Sequence, residues 1–320
     1  MVEMLSWVVV GIGDITTKRV IPAILAEPRS CLYGVVSRDP EKGRRYAGRV
    51  WSNLDDALSD PEVHAVYVAT PVALHAPQTI AALGAGKHVL CEKPMAMDYA
   101  EACRMTRAAR EAGRTLGIAY YRRMYPKLQR ARQLVADGAI GRPVLAEINC
   151  HDWYTDSDIR RCWRLDPAMA GGGPLYDIAS HRIDVLNFLF GRPVAVAGQI
   201  SNVVHATPVE DSATLLIEYE QGTRGVVDVR WHSRVARDEF RIIGADGEME
   251  LSPLSGPELV WPGGCEQLPC HANLHYPCVE NFVSAVVDGA HLYSSGETAV
   301  WTDWVTGQAL KALPSGARTR

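Results

Sequence analysis

The chain has 320 residues, too many for one ordinary hydrophobic core, so two domains are expected. With 47% hydrophobic and 22% charged residues it reads as a soluble globular protein, and its net charge of −4 argues against nucleic acid or an anionic membrane as partner. No apolar run approaches the length of a membrane span, and the start Met1-Val2-Glu3-Met4-Leu5-Ser6-Trp7 has no basic n-region.

Residues 5–12 form a continuous apolar run ending in glycine, the pattern of a buried parallel strand. Gly11-Ile12-Gly13-Asp14-Ile15-Thr16 follows, then a helix through Val20, Ile21, Ile24 and Leu25. Strand, glycine turn and helix in that order make a dinucleotide fingerprint. Gly11 permits the turn, Gly13 lets the backbone approach a pyrophosphate, and the helix start at Asp14 and Ile15 faces its charge. Thr16 stands where the motif has its third glycine, which predicts slightly wider helix–strand packing. A second strand, residues 31–36, ends in Ser37-Arg38-Asp39-Pro40. An NAD site usually carries an acid at this tip for the ribose 2′-hydroxyl. Ser37 beside Arg38 instead suits a 2′-phosphate, which favours NADP, with NAD as the other candidate. The alternative leaves Arg38 in solvent and puts Asp39 on the ribose.

Helices at residues 54–58, 77–83 and 98–112 alternate with strands at 65–69, 87–91 and 115–120. Asp98 caps the longest of these helices and Gly113 ends it. The alternation predicts an α/β fold with a doubly wound parallel sheet over residues 1–120. Ligands of such sheets bind at the C-terminal strand ends. Thr70-Pro71, with His75 close behind, and Glu92-Lys93-Pro94 all fall at those ends.

From residue 121 the pattern changes, and residues 121–320 read as a second, α+β domain. A helix at 124–136 closes at Gly138, and a strand covers 143–151. Gly171-Gly172-Gly173-Pro174-Leu175-Tyr176-Asp177-Ile178-Ala179-Ser180-His181 then reads as a glycine loop entering a helix, with proline at its first turn. Asp177 and His181 are spaced i, i+4 and share a face. A carboxylate beside an imidazole can do proton chemistry near neutral pH, the alternative being a solvated face with a chance pair. Alternating runs at 194–204, 213–219, 225–231, 239–243 and 248–251 predict a largely antiparallel open sheet with helices on one face. Its exposed face, bearing Trp231, is a candidate contact for a homo-oligomer, dimer or tetramer.

Cys265, Cys270, His271, His275 and Cys278 contain no CxxC pair, so no metal centre is expected, and a helix begins at 278. The eight cysteines are scattered through a long chain, which reads as reduced thiols in a cytoplasmic protein. Tyr154 and Tyr276, with Asp152, Trp153 and His275, are candidates to line a substrate pocket, since aromatic faces stack on sugar rings; ordinary core packing is the alternative. No nucleophile elbow, P-loop or HExxH helix occurs.

Taken in order, Gly11-Ile12-Gly13, Thr70-Pro71 with His75, Glu92-Lys93-Pro94, Arg123-Met124-Tyr125-Pro126, Trp163-Arg164 and the segment from Gly172 to His181 resemble the glucose–fructose oxidoreductase/inositol dehydrogenase family, Gfo/Idh/MocA, over nearly the whole length. Glu210-Asp211-Ser212-Ala213 before a strand also looks like this family's substrate-domain sheet. The resemblance implies Lys93 as catalytic lysine, His181 as general acid/base and Asp177 as the group orienting substrate or His181. It implies Glu92 on the nicotinamide ribose, Thr70, Pro71 and His75 along the cofactor cleft, and Trp163 and Arg164 near the nicotinamide. Val72 and Tyr121 stand where many members carry Asn, so the substrate contacts of those members do not carry over to Tyr121, which is kept as a substrate candidate.

The function expected is hydride transfer between a nicotinamide dinucleotide and a hydroxyl or keto carbon of a sugar, polyol or sugar derivative. The cofactor carries the redox step, and the protein supplies position and proton transfer. Two other classes share the fold: an NAD-dependent glycosidase and a non-catalytic nucleotide sensor. Retention of Lys93, Asp177 and His181 together favours the enzyme.

Overall fold

The structure, a computed structural model, describes residues 4–155 and 163–311. The chain divides into two compact units, Met1–Tyr121 with His271–Val300, and Arg122–Cys270 with Trp301–Arg320. Among the described residues no helix is long and apolar enough to cross a membrane.

In the first unit, strands β1 (Leu5–Val10), β2 (Ser30–Val36), β3 (Val50–Trp51), β4 (Ala65–Val68), β5 (His88–Cys91) and β6 (Leu116–Ile118) form one parallel sheet, in the order β3-β2-β1-β4-β5-β6. This is the doubly wound sheet expected from the alternation. Helices cover both faces, so β1 and β4 are buried nearly throughout, and their valine-rich runs reflect that burial. The ladder extends past the strand ends: Ala69 N–H donates to Val10 O at 2.9 Å and Glu92 N–H to Val68 O at 2.8 Å. The ends that bear Gly11, Ser37, Thr70 and Glu92 therefore sit side by side. The helix Tyr99–Ala112 starts at Asp98, whose carboxylate accepts from Glu101 N, and stops at Gly113 in the left-handed region, φ 60°.

Residues 271–300, placed by the sequence pattern with the second domain, pack in the first unit. The helix Tyr276–Asp288 buries Cys278, Val279, Phe282 and Val283. Phe282 lies 5.2 Å from the Trp7 ring, and Arg29 donates to Asp288 at 2.6 Å. A sequence boundary follows chain order, whereas this helix goes where its apolar face finds cover.

In the second unit, β7 (Pro143–Trp153), β8 (Pro193–Ser201), β9 (Ser212–Tyr219), β10 (Arg224–Arg230), β11 (His232–Gly244), β12 (Glu248–Glu250), β13 (Glu258–Trp261) and β14 (Gly264–Gln267) form a sheet in the order β14-β13-β12-β11-β7-β10-β9-β8. Only the β7–β10 pair is parallel. Alternate side chains of β9 and β10 are buried, as a one-sided sheet requires. The sequence pattern missed β13 and β14 and the helix Gly296–Lys311. It also put Trp231 on the exposed face, and this is corrected: Trp231 is 5% exposed and stacks on Tyr154, ring centroids 4.5 Å apart. Trp231 lies just past the end of β10, where the strand's alternation no longer sets the direction of the side chain.

Candidate active site

At the end of β1 the chain turns through Gly11 at φ 92°, where an added Cβ would come 2.7 Å from Ala69 O. Only glycine fits this turn without strain. At Gly13 an added Cβ would meet nothing within 4 Å, so the backbone there is open to an approaching group. Thr16 explains its departure from the glycine motif. Its hydroxyl donates to Gly13 O at 2.8 Å and accepts from Gly13 N at 2.7 Å, which ties the loop. The helix beyond it is widened to a π turn over Thr16–Val20. Asp14 and Ile15 open this helix, and Lys18 pairs with Asp14 at 3.4 Å. An open glycine backbone before a helix N-terminus fits a pyrophosphate.

At the tip of β2, Ser37 is buried and exchanges hydrogen bonds with the backbone of Asp39, donating at 2.8 Å and accepting at 3.2 Å. The Asp39 carboxylate caps the short helix Pro40–Arg44 by accepting from Lys42 N at 3.1 Å. Arg38 is exposed. Lys42, which the sequence reading passed over, donates from Nζ to Ile12 O at 2.5 Å. It thus brings a cation to the glycine loop. A cation one helical turn past Asp39 was the available signal.

Beyond β4, Thr70 Oγ1 donates to Gln78 Oε1 at 2.7 Å, while Pro71 starts the turn into the next helix. His75 is 1% exposed, with Nδ1 2.8 Å from Pro94 O and Nε2 2.9 Å from Thr70 O. Its ring bridges the turns after β4 and β5, so His75 braces these two strand ends against each other. Burial pushes this imidazole below its ordinary value, against the pull of both carbonyls. Beyond β5, Glu92 Oε1 accepts from Tyr67 Oη at 2.7 Å and from His275 Nε2 at 3.3 Å, and Oε2 accepts from Lys93 N at 3.3 Å. Burial pushes the Glu92 carboxyl up, but His275, Tyr67 and Lys93 outweigh it and hold the group below the usual carboxylate range. Tyr67 had a legible signal, since a hydroxyl in a fully buried strand must find a partner. Tyr121 packs on the His275 ring at 4.8 Å. Tyr276 stacks on His271 at 4.7 Å and donates to Glu280 at 3.3 Å.

In the second unit the glycine loop is held by Glu210. Its Oε1 accepts from Leu175 N at 2.9 Å, and a side chain at Gly173 would overlap Glu210 O. Burial pushes the Glu210 carboxyl up, while the Gly173 and Leu175 N–H groups oppose that shift. Asp211 accepts from the N–H groups of Val203, Val204 and His205, fixing the loop before β9. The segment Leu175–Ala179 is again a π turn, and it leads into the helix Ser180–Phe190, every residue of which is buried. Asp177 lies in the widened turn, with Oδ2 3.5 Å from Arg164 Nη1, and Arg164 in turn lies 5.8 Å from the Trp163 ring centre. His181 is 5% exposed, on the first turn of the helix. Arg123, from the Arg123-Met124-Tyr125-Pro126 motif, donates to both oxygens of Asp184 at 2.8 and 2.5 Å, with the two side chains 2% and 1% exposed. This motif therefore anchors the helix that carries His181. Tyr154 stacks on Trp231 close to the glycine loop, where an added Gly173 Cβ would sit 3.3 Å from the Trp231 ring.

Residues 5–120 match "Oxidoreductase family, NAD-binding Rossmann fold" and residues 128–250 match "GFO/IDH/MocA C-terminal domain". The chain is 34% identical to 1,5-anhydro-D-fructose reductase of Ensifer adhaerens over 328 residues, covering 98% of this chain and 97% of that protein. The crystal structure of an aldose–aldose oxidoreductase from Caulobacter crescentus, complexed with glycerol, superposes with a TM-score of 0.86 at 28% identity, covering 97% of each chain. GenD2 from gentamicin A biosynthesis, in complex with NAD, gives 0.84 at 30% identity, over 99% of this chain and 96% of that one. The chain is an oxidoreductase of the Gfo/Idh/MocA family.

Proposed function

We propose that the protein is a cytoplasmic, NADP-preferring reductase or dehydrogenase of a sugar derivative, with 1,5-anhydro-D-fructose as the first substrate to test. The observation that carries the reading is the row of groups at the parallel strand ends: the open Gly13 backbone, the Arg38 and Lys42 cations, and Lys93 behind a gripped Glu92. The substrate follows from the reductase that matches over nearly the full length of both chains. The first unit holds the dinucleotide, and the second supplies the substrate groups. NADP is favoured because the Asp39 carboxylate is engaged as a helix cap, whereas Arg38 is exposed at the β2 tip and Lys42 reaches the neighbouring glycine loop, and two cations there suit a 2′-phosphate.

A dinucleotide held by the first unit would give the hydride in reduction and take it in oxidation. Lys93 Nζ hydrogen-bonds the reacting oxygen and favours charge there, and His181 gives or takes the proton of that oxygen through its imidazole. Asp177 and Arg164 orient the substrate at the start of the same helix, with Trp163 behind them. Tyr154 offers a stacking face for the sugar ring in the second unit, and Tyr121 and Tyr276 are separate substrate candidates of the first. The outward face of the second sheet, where Leu216 is 44% exposed, is the contact between copies of the chain.

The test is titration with NADPH and NADH by quenching of tryptophan fluorescence, followed by turnover of 1,5-anhydro-D-fructose. NADPH should bind more tightly, and Arg38→Ala should erase the preference. Lys93→Ala and His181→Ala should keep nucleotide binding but each lose about 10²–10⁴-fold in kcat. Full turnover by either variant would refute its role. Tighter NADH binding would overturn the NADP assignment, and nucleotide binding without turnover of any sugar would favour a sensor.

A further inference from the structure

His275 stands at the N-cap of the helix Tyr276–Asp288 and is 3% exposed. Its Nε2 faces Glu92 Oε1 at 3.3 Å, and its Nδ1 is buried without a hydrogen-bond partner among the described residues. A buried polar atom left unbonded is a cost that proteins rarely keep. Here it is kept by the ring that donates to a buried carboxylate. Glu92 is gripped from three sides: by Tyr67 from β4, by the Lys93 main chain, and by His275. The first two partners come with the parallel sheet itself. His275 arrives from a segment more than 180 positions away, |i−j| = 183. The Tyr121 ring packs against it at 4.8 Å, and Asn273 beside it donates to Arg19 O at 2.8 Å on the helix after the glycine loop. The returning segment thus touches both the phosphate end and the β5 end of the cleft in this unit.

Strand order says which part of a dinucleotide lies at each place. The pyrophosphate belongs at the glycine turn after β1 and the adenosine side over β2, so the nicotinamide half lies over β4 and β5. We infer that His275 is a positioning residue for that half: it orients the Glu92 carboxylate and, through Glu92, the Lys93 turn. This rests on the nucleotide-binding reading above.

The experiment compares wild type, His275→Leu and His275→Gln as full chains, well below their thermal transitions. Leucine removes the donor, and glutamine restores an N–H at a similar reach. Binding of NADPH, NADH and ADP is measured by fluorescence and calorimetry. His275→Leu should bind NADPH and NADH about tenfold more weakly, the cost of one hydrogen bond to a charged group, with the ratio between the two nucleotides unchanged. His275→Gln should recover most of the loss. ADP, which lacks the nicotinamide half, should bind all three proteins equally. Equal NADPH binding by wild type and the leucine variant would overturn the inference alone. So would a glutamine variant no better than leucine, or an equal loss for ADP. A wild type that binds neither dinucleotide would overturn the nucleotide-binding reading itself.

Discussion

The ion pair under the His181 helix is open to a quantitative test. Arg123 and Asp184 make two hydrogen bonds, 2.8 and 2.5 Å, with side chains 2% and 1% exposed. Asp184 also accepts from Thr302 Oγ1 at 3.4 Å. Burial pushes the Asp184 carboxyl up, and the Arg123 guanidinium opposes it. Asp184→Leu would leave a buried guanidinium without its carboxylate, at a cost of about 3–5 kcal/mol. For a unit of this size that corresponds to a fall of about 10 °C in Tm. The double variant Arg123→Met/Asp184→Leu should recover most of the loss, because replacing a whole buried pair by apolar side chains is often neutral or better. Thermal and guanidinium unfolding of the full chain, followed by tryptophan fluorescence, reads both. Since Asp184 lies on the same helix as His181, the single variant should also lose turnover while still binding nucleotide. A single variant within about 0.5 kcal/mol of wild type, or a double variant as damaged as the single, would refute the electrostatic account.

Two glycines two positions apart should behave in opposite ways. Gly11→Ala places a Cβ against the Ala69 carbonyl at a positive φ and should cost about 1–3 kcal/mol in urea unfolding. Gly13→Ala has open space and should unfold like wild type, yet bind NADPH at least about tenfold more weakly by fluorescence titration, since its Cβ occupies the approach to the backbone. A His88 effect should appear in acid. Burial, then Arg114 and His64, lower this imidazole from 6.5 to about 4. The unfolded chain therefore takes up the proton first, so stability is lost as pH falls from 6.5 toward 4. Denaturant midpoints across that window should fall less steeply for His88→Gln, and parallel slopes would contradict the assignment.

Much of this protein was legible along the chain. The glycine turn and the alternation of valine-rich strands with capped helices are local signals, because backbone conformation and burial periodicity act over a few residues. Asp98 and Gly113, for example, bound their helix by chemistry within one turn of each end. Thr16 was visible as an exception, but its reason needed the hydroxyl's geometry at Gly13. Short strands such as β13 and β14 carry too few alternations to stand out. Trp231 was misplaced because the direction of a side chain past a strand end follows its neighbours, not the strand's period.

By itself the sequence determined the parallel sheet, the largely antiparallel second sheet and the family. Tertiary structure alone decided what holds the side chains of the candidate site still. Glu92 depends on Tyr67 and on distant His275, the helix of His181 on Arg123, and the Gly173 loop on Glu210. Each such pairing joins residues far apart in the chain, where no periodicity reaches. Buried charges and hydroxyls must find partners, and the folded chain chooses which.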